Sequence, residues 1–408
     1  MVIITILACL LLYCMKEYMK TYVIIGAGII GCTLARELLL HKVGKVILLE
    51  KENKFGLHSS GRNSCVIHSG INQKPGTLKA QMCLDGSRMI REYCVKNNIP
   101  MEKYGTLVIS QNEVDEMILE KLMKMGLEAG VKDLQFLNKN ELIQKEPLAI
   151  GQRALFSPTG AVVDTDALLG TIVDEIESLQ GKLYYNERVT YIDFPWVITD
   201  RNRYQVDYLI NCAGLYSDNI AEMMGIGKKY SIVPFRGEYY EVKDVNVNSM
   251  IYKAPDLRFP FLSVHLTKLV NGKVIAGPTA TLSLGRESYQ REFKIDETLG
   301  MLKRMSFYKM ITKKGFLQQV YHSLRLSLSK KTFKKEIESL IGEIQSEQLF
   351  PYRSGIRPQL IDENGNLVND FIIESNRQSL HVLNCISPGF TCSFAFAKYL
   401  NSIIIDNK

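Results

Sequence analysis

Residues 22–25, Tyr-Val-Ile-Ile, form an unbroken apolar run, the pattern of a short strand buried on both faces. A glycine-rich turn follows. The apolar stretch rich in Leu and Ala after it predicts a helix over 29–40, and the apolar run at 45–49 predicts a second, parallel strand. These three elements make one βαβ unit. Residues 51–75 then lose all periodicity and become rich in Ser, Gly, His and Asn. A loop of about 20 residues inside a compact domain is usually functional. The pattern resumes with a helix over 78–97, a strand at 106–109 and an amphipathic helix over 113–129, before a Pro/Gly-punctuated turn region at 156–164. A helix over 166–179, strands at 183–193 and 205–211, and a short helix at 217–224 come next. Residues 232–280 alternate apolar and polar, as antiparallel sheet does. Residues 301–345 read as mostly helical, and the chain closes with a strand at 380–383, a Ser-Pro-Gly turn and a helix over 391–404.

With 408 residues the chain exceeds the roughly 250–300 that one core usually serves, so two domains are expected. The composition, 46% hydrophobic and 23% charged, is that of an ordinary globular protein. The net charge of +7 is a local property: between Lys303 and Lys335 there are ten Lys and Arg and no Asp or Glu, which leaves −3 for the remainder. No zinc-finger or other nucleic-acid motif accompanies that stretch, so nucleic acid is not an expected partner. The nine cysteines are scattered without a Cys-x-x-Cys pair, which speaks for reduced thiols rather than a disulfide framework or a metal site. Residues 1–18 form an apolar N-terminal extension. Its core, residues 2–15, would reach roughly 21 Å as a helix, short of the ~30 Å hydrocarbon layer. An extension of no structural role, a short membrane anchor and a cleaved signal peptide all remain open for it. Met15 and Met19 are alternative starts.

Gly26-Ala27-Gly28-Ile29-Ile30-Gly31 supplies the chemistry of the first turn. In G-x-G-x-x-G the first glycine permits the tight turn, the second lets a pyrophosphate approach the backbone, and the third allows close helix–strand contact. The helix N-terminus then offers unpaired N–H groups and a partial positive charge to the phosphates. Glu50 closes the second strand 24 residues after Gly26, where a carboxylate can accept hydrogen bonds from a ribose diol. The polar loop after Glu50 favours FAD over NAD, because a simple NAD domain would continue through further βα units. The run Leu209-Ile210-Asn211-Cys212-Ala213-Gly214 is a strand entering a glycine turn, and it can return beside the first unit to put Gly214 near the cofactor.

Together, Gly26 to Gly31, Glu50, the loop from His58 to Gly70, and Asn211-Cys212-Ala213-Gly214 resemble the D-amino-acid-oxidase-like family of FAD-dependent oxidoreductases. Other segments resemble its L-2-hydroxyglutarate dehydrogenase/oxidase branch more closely. These are Asn63-Ser64-Cys65-Val66-Ile67-His68-Ser69-Gly70-Ile71, Leu78-Lys79-Ala80, Cys212 to Asp218, and Pro234-Phe235-Arg236-Gly237. Arg258 to His265, Gly277-Pro278, Gly355-Ile356-Arg357 and Asp370-Phe371-Ile372-Ile373 complete the set, which spans about residues 21 to 400. The expected fold class is α/β: an interrupted Rossmann-type FAD-binding domain (19–85, 150–225 and 350–408) with an inserted α+β substrate domain on an antiparallel sheet (86–149 and 226–349).

The resemblance implies oxidation of L-2-hydroxyglutarate to 2-oxoglutarate, with hydride passing from substrate C2 to flavin N5 and electrons leaving to a quinone or to oxygen. A dicarboxylate calls for cationic clamps, best supplied by the forked guanidinium of Arg. Arg357 is the first candidate, followed by Arg236 and Arg258, with Arg353 behind them; a surface salt bridge is the competing role for each. The substrate hydroxyl needs a base within hydrogen-bond reach, for which His265 is the first candidate and His68 the second. Cofactor contacts are expected from Gly26, Gly28, Gly31, Glu50, Asn63, Ser64, His68, Val189, Gly214, Gly355, Gly389 and Thr391, the last two opening a helix whose N-terminus can face the flavin. No metal is expected. Two departures loosen the substrate assignment: the family's Tyr-Tyr pair is Asn72-Gln73 here, and Gly389-Phe390 places a ring where the family has small residues. Another 2-hydroxy acid, an amino acid or glycerol 3-phosphate is the alternative substrate, and a non-catalytic FAD-binding scaffold is the alternative role. The mixture of basic and apolar residues over 303–335 suits either a solvated helical face packed on the second domain or a membrane surface, so a cytoplasmic location is expected, with peripheral contact at the inner face of a membrane left open.

Overall fold

The strand Thr21–Ile25 sits in the middle of a six-stranded sheet because both of its faces are covered. Tyr22 and Ile24 point into a core shared with the helices Ile29–Leu40, Leu78–Lys96, Thr165–Ser178 and Gly389–Asp406. Val23 and Ile25 point the other way, against Ile192 and Val197 of a three-stranded meander, Val206 just after it and Ile220 of the helix Ser217–Met223. Across the sheet the order is Ile372–Ser375, Ser379–Asn384, Tyr208–Asn211, Thr21–Ile25, Lys45–Leu49 and Lys182–Tyr184, all parallel except the first, which is an antiparallel edge. Ile25 and Asn211 are register partners, so the glycine turns that follow them leave the sheet side by side. The computed structural model describes residues 19–255 and 264–406, and Arg258 and the N-terminal apolar run lie outside them.

A second, nine-stranded sheet is antiparallel apart from the pair Thr106–Ser110 and Met250–Lys253. Its edge is a ribbon of two long strands, Tyr230–Val242 and Leu349–Asp362. Phe235 is opposite Arg357 and Gly237 opposite Gly355 in that ribbon. Helices Ile295–Leu302, Met305–Ile311, Phe316–Leu328 and Lys330–Ile341 lie over this sheet, with Phe307, Met310 and Phe316 packed on Val233, Phe235 and Ile361. Among the described residues no helix is long and apolar enough to cross a membrane.

The expected mixture of a parallel nucleotide-type sheet and an antiparallel sheet is present, but four local expectations change. The run at 183–193 is two strands in different sheets, Lys182–Tyr184 and Val189–Asp193, separated by a turn in which Asn186 takes a positive φ. The run at 205–211 divides likewise into Arg203–Gln205 and Tyr208–Asn211. The turn region at 156–164 contains the strand Ala161–Val163 and the end of Arg153–Ser157. The strand Leu349–Asp362 went unrecognised because Pro351, Gly355 and Pro358 disguise it. Proline is tolerated there because Pro358 faces Pro234 across the ribbon, where neither residue could donate to the ladder. Both Arg153–Ser157 and Leu349–Asp362 belong to the antiparallel sheet, not to the nucleotide-binding segments in which the bounds at 150 and 350 had grouped them.

Helices Leu78–Lys96 and Gly389–Asp406 cross at Gly86, where a Cβ would lie 2.4 Å from the Thr391 carbonyl oxygen and 2.7 Å from Cys392 Cα. Thr391 Oγ1 also accepts from the His68 N–H (3.0 Å), so this crossing fixes one wall of the site described next. Overpacking typically costs about 1–3 kcal/mol. Gly86→Leu is expected to destabilise the fold by at least that much, read as a lower denaturant midpoint; an unchanged midpoint would show that the crossing is loose.

Candidate active site

The two glycine turns, the 51–64 loop and the long ribbon enclose a cavity of about 500 Å3, within the usual size of ligand sites. At one end the backbone is arranged for a diphosphate. Gly26 has φ +104°, and a Cβ there would lie 2.6 Å from the Cys212 carbonyl oxygen. A Cβ on Gly31 would lie 2.0 Å from the Gly26 carbonyl oxygen. The helix Ile29–Leu40 therefore starts hard against the sheet, with no acidic residue in its first turn and no side-chain cap from Gly28. The Ile29 N–H donates to Ser60 Oγ (2.9 Å). Glu50 accepts from the Ala27 N–H at Oε2 (2.8 Å) and from the Glu52 N–H at Oε1 (3.0 Å), which sets its carboxylate beside the glycine turn. Asn211 pins the second turn, accepting from the Ala213 N–H (3.1 Å) and donating to the Ser217 carbonyl (2.7 Å).

The 51–64 loop is organised by its own side chains. Asn63 donates to the Ser60 carbonyl (2.7 Å) and accepts from the Cys65 N–H (2.7 Å). Arg353 reaches in from the ribbon and donates to the Gly61 (2.8 Å) and Asn63 (2.7 Å) carbonyls. It acts as a brace and is removed from the candidate clamps. From outside, the segment after Gly285 holds both the helix Ser217–Met223 and the same loop. Arg286 forms a two-pronged pair with Asp218 (2.6 and 2.9 Å). Tyr289 OH meets His58 Nδ1 (2.6 Å), and Arg62 lies over the Tyr289 ring at 4.1 Å. Glu52, His58 and Glu287 converge closely enough to hold a cation, but the Lys51 ammonium already occupies their centre, bonded to Glu52, to Glu287 (2.5 Å) and to His58 Nε2 (2.8 Å). It supplies the positive charge a metal would bring.

At the far end Arg357, His68, His265 and Tyr239 line the cavity. Strand alternation explains why Arg236 does not: Phe235, Gly237 and Tyr239 face inward, while Arg236 turns to the opposite face and pairs with Glu238 (3.3 Å). Gly31 also lies outside the lining, its contribution being the close helix–sheet approach. Gly26, Gly28, Glu50, Asn63, Ser64, Val189, Gly214, Gly355, Gly389 and Thr391 all line the cavity. Burial holds the Arg357 guanidinium below its ordinary value, with Tyr239 opposing. Burial, and then the charges of Arg357 and Lys79, push the His68 imidazole down to about 4, so it is neutral at neutral pH. Burial also drives the Tyr239 phenol up to about 12. The His265 ring instead stacks flat on Tyr252, centroids 4.2 Å apart. Tyr239, Ser60 and Lys79 were not singled out as site residues from the sequence. For Tyr239 the signal was available in the period-two alternation of the 235–239 run.

Parallel strands ending in two adjoining glycine turns, a helix N-terminus bare of acids, a carboxylate at the second strand's end and a largely apolar cavity opening from them define a dinucleotide-dependent oxidoreductase. The chain belongs to the family of FAD dependent oxidoreductases of the DAO type, whose profile matches residues 21–403, and its cofactor is FAD. It is 35% identical over 386 residues to the L-2-hydroxyglutarate dehydrogenase of Indibacter alkaliphilus, covering 91% of this chain and 96% of that one. It is 34% identical over 407 residues to the mitochondrial L-2-hydroxyglutarate dehydrogenase of Caenorhabditis elegans, with 94% and 93% covered. Among solved structures, the FAD-bound, dithionite-reduced L-alpha-glycerophosphate oxidase of Mycoplasma pneumoniae superposes with a TM-score of 0.76 at 23% identity, covering 94% of each chain.

His68 and His381, the latter also held at about 4 by burial, are neutral in the fold, whereas in the unfolded chain each titrates near 6.5. The unfolded chain then binds more protons between those values, so stability falls as the pH drops from about 6.5 towards 4, by on the order of 3 kcal/mol per histidine. Denaturant midpoints measured across that window should fall with acidification, and His68→Gln should flatten the dependence; a slope that the variant leaves untouched would clear His68 of the effect.

Proposed function

We propose that this chain oxidises L-2-hydroxyglutarate to 2-oxoglutarate and passes the electrons to a quinone or to oxygen. The observation that carries the reading is the grouping of a neutral histidine, His68, with the guanidinium of Arg357 in the lining of the cavity, the charge of Lys79 acting on both from behind it. The names of the relatives that match over nearly the whole chain support it.

FAD, when bound, supplies the acceptor for the hydride that leaves substrate C2. The chain does the rest. Arg357 offers its fork to a carboxylate, and Lys79 adds a second positive charge from the start of the helix Leu78–Lys96. His68 takes the hydroxyl proton as the C2–O bond becomes a carbonyl. A base needs a pKa near the working pH, and His68 begins well below it. The substrate's own two negative charges offset Arg357 and Lys79, which raises the basicity of His68 once the dicarboxylate is in place. We therefore place His68 ahead of His265 as the base, since the His265 ring is stacked against Tyr252.

Anaerobic mixing with candidate substrates tests this by loss of flavin absorbance at about 450 nm. L-2-hydroxyglutarate should bleach the protein. Bleaching by an amino acid or glycerol 3-phosphate, with none by L-2-hydroxyglutarate, would reverse the assignment. Arg357→Ala should lower turnover at least tenfold with flavin retained, and His68→Asn should depress the bleaching rate more than His265→Asn does.

A further inference from the structure

We propose that Thr391 is the positioning residue for His68, its hydroxyl holding the base in place instead of serving the cofactor. The inference rests on the assignment of His68 as the base. His68 stands just beyond the two-residue strand Val66–Ile67, which pairs with Ala161–Val163 at the edge of a small sheet. Cys65 before the strand has φ +61° and Gly70 after it φ +95°, so the chain turns away at both ends. So short a ladder does not by itself fix where an imidazole sits. Thr391 supplies the missing restraint. Its Oγ1 accepts from the His68 N–H (3.0 Å) and donates to the Val66 carbonyl (3.3 Å). A hydroxyl has one hydrogen to give, and this one goes to Val66. None is left for the flavin, although Thr391 lines the cavity.

Thr391 is itself immobilised. It is fully buried in the first turn of the helix Gly389–Asp406, and its carbonyl oxygen is the atom that a Cβ on Gly86 would meet at 2.4 Å. The same helix crossing brings the Cys83 thiol to the His68 carbonyl (3.9 Å). The peptide groups on the two sides of His68 are thus tied to two closely packed helices. Proton abstraction tolerates little error. The base must come within roughly 2.6–3.2 Å of the hydroxyl it serves, and a displacement of about 1 Å can cost on the order of 100-fold in rate. Arg357 reaches the cavity from the long ribbon, independently of this tether, so loss of the Thr391 hydroxyl should spare substrate binding.

The test compares full-length holoenzyme variants by anaerobic flavin bleaching with L-2-hydroxyglutarate. Thr391→Val, close in shape but without the hydroxyl, should lower the limiting bleaching rate at least tenfold. The substrate concentration giving half that rate should stay within twofold of the wild type, and so should FAD affinity, followed by flavin fluorescence on dilution. Thr391→Ser should recover at least half of the wild-type rate. Adding Thr391→Val to His68→Asn should slow bleaching by less than a further twofold, because the tether has no base left to position. If Thr391→Val does not fold, Thr391→Ala removes the same hydroxyl and decides. Weaker FAD binding with an unaltered bleaching rate would make Thr391 a flavin contact and overturn the proposal, as would full additivity with His68→Asn. A His68→Asn enzyme that bleaches as fast as the wild type would remove the base, and this proposal with it. A slow His68→Asn beside a fast Thr391→Val would remove the proposal alone.

Discussion

At Gly26 and Gly31 the turn, the helix and the neighbouring strand approach one another so closely that no Cβ fits. This contact brings the N–H groups of the helix Ile29–Leu40 to the ends of the parallel strands, with Glu50 beside them. Burial on both faces of Thr21–Ile25 holds the strand ends in place, and the register of Ile25 with Asn211 delivers the second turn to the same spot. A diphosphate site of this kind is made of backbone and depends on packing for its precision.

The opposite end of the cavity is built on different terms. The long ribbon presents Phe235, Gly237 and Tyr239 inward on one strand and Arg357 on the other. Gly355, whose Cβ would lie 2.0 Å from the Arg62 carbonyl oxygen, lets the 51–64 loop rest directly on the ribbon. A polar loop from the nucleotide-binding side and a strand pair from the antiparallel side thus meet without a gap, and the chemistry is set at their junction. The neutrality of His68 follows from being buried there beside two cations.

Much of the nucleotide end was legible because its determinants are local. Glycine spacing, an apolar run and one terminal acid lie within 30 residues, and Gly26, Gly28 and Glu50 fall where the motif implies. The far end is non-local. Arg357 was found through its Gly-Ile-Arg setting, but nothing in the neighbourhood of Arg236 reveals which face of its strand turns inward, and its pairing with Glu238 removed it from the site. Arg353 was legible as a cation near the site, but its partners are carbonyls some 290 positions away. The prolines of Leu349–Asp362 hid a strand because their tolerance depends on the residue across the ribbon.

The segment after Gly285 adds a property of a different kind. Arg286 and Tyr289 leave the antiparallel sheet and grip Asp218, His58 and Arg62, residues that belong to the walls around the glycine turns. The Ser354 hydroxyl of the long ribbon donates to the Tyr289 carbonyl as well (2.6 Å), so a single short run of chain fastens the ribbon to the walls of the nucleotide end.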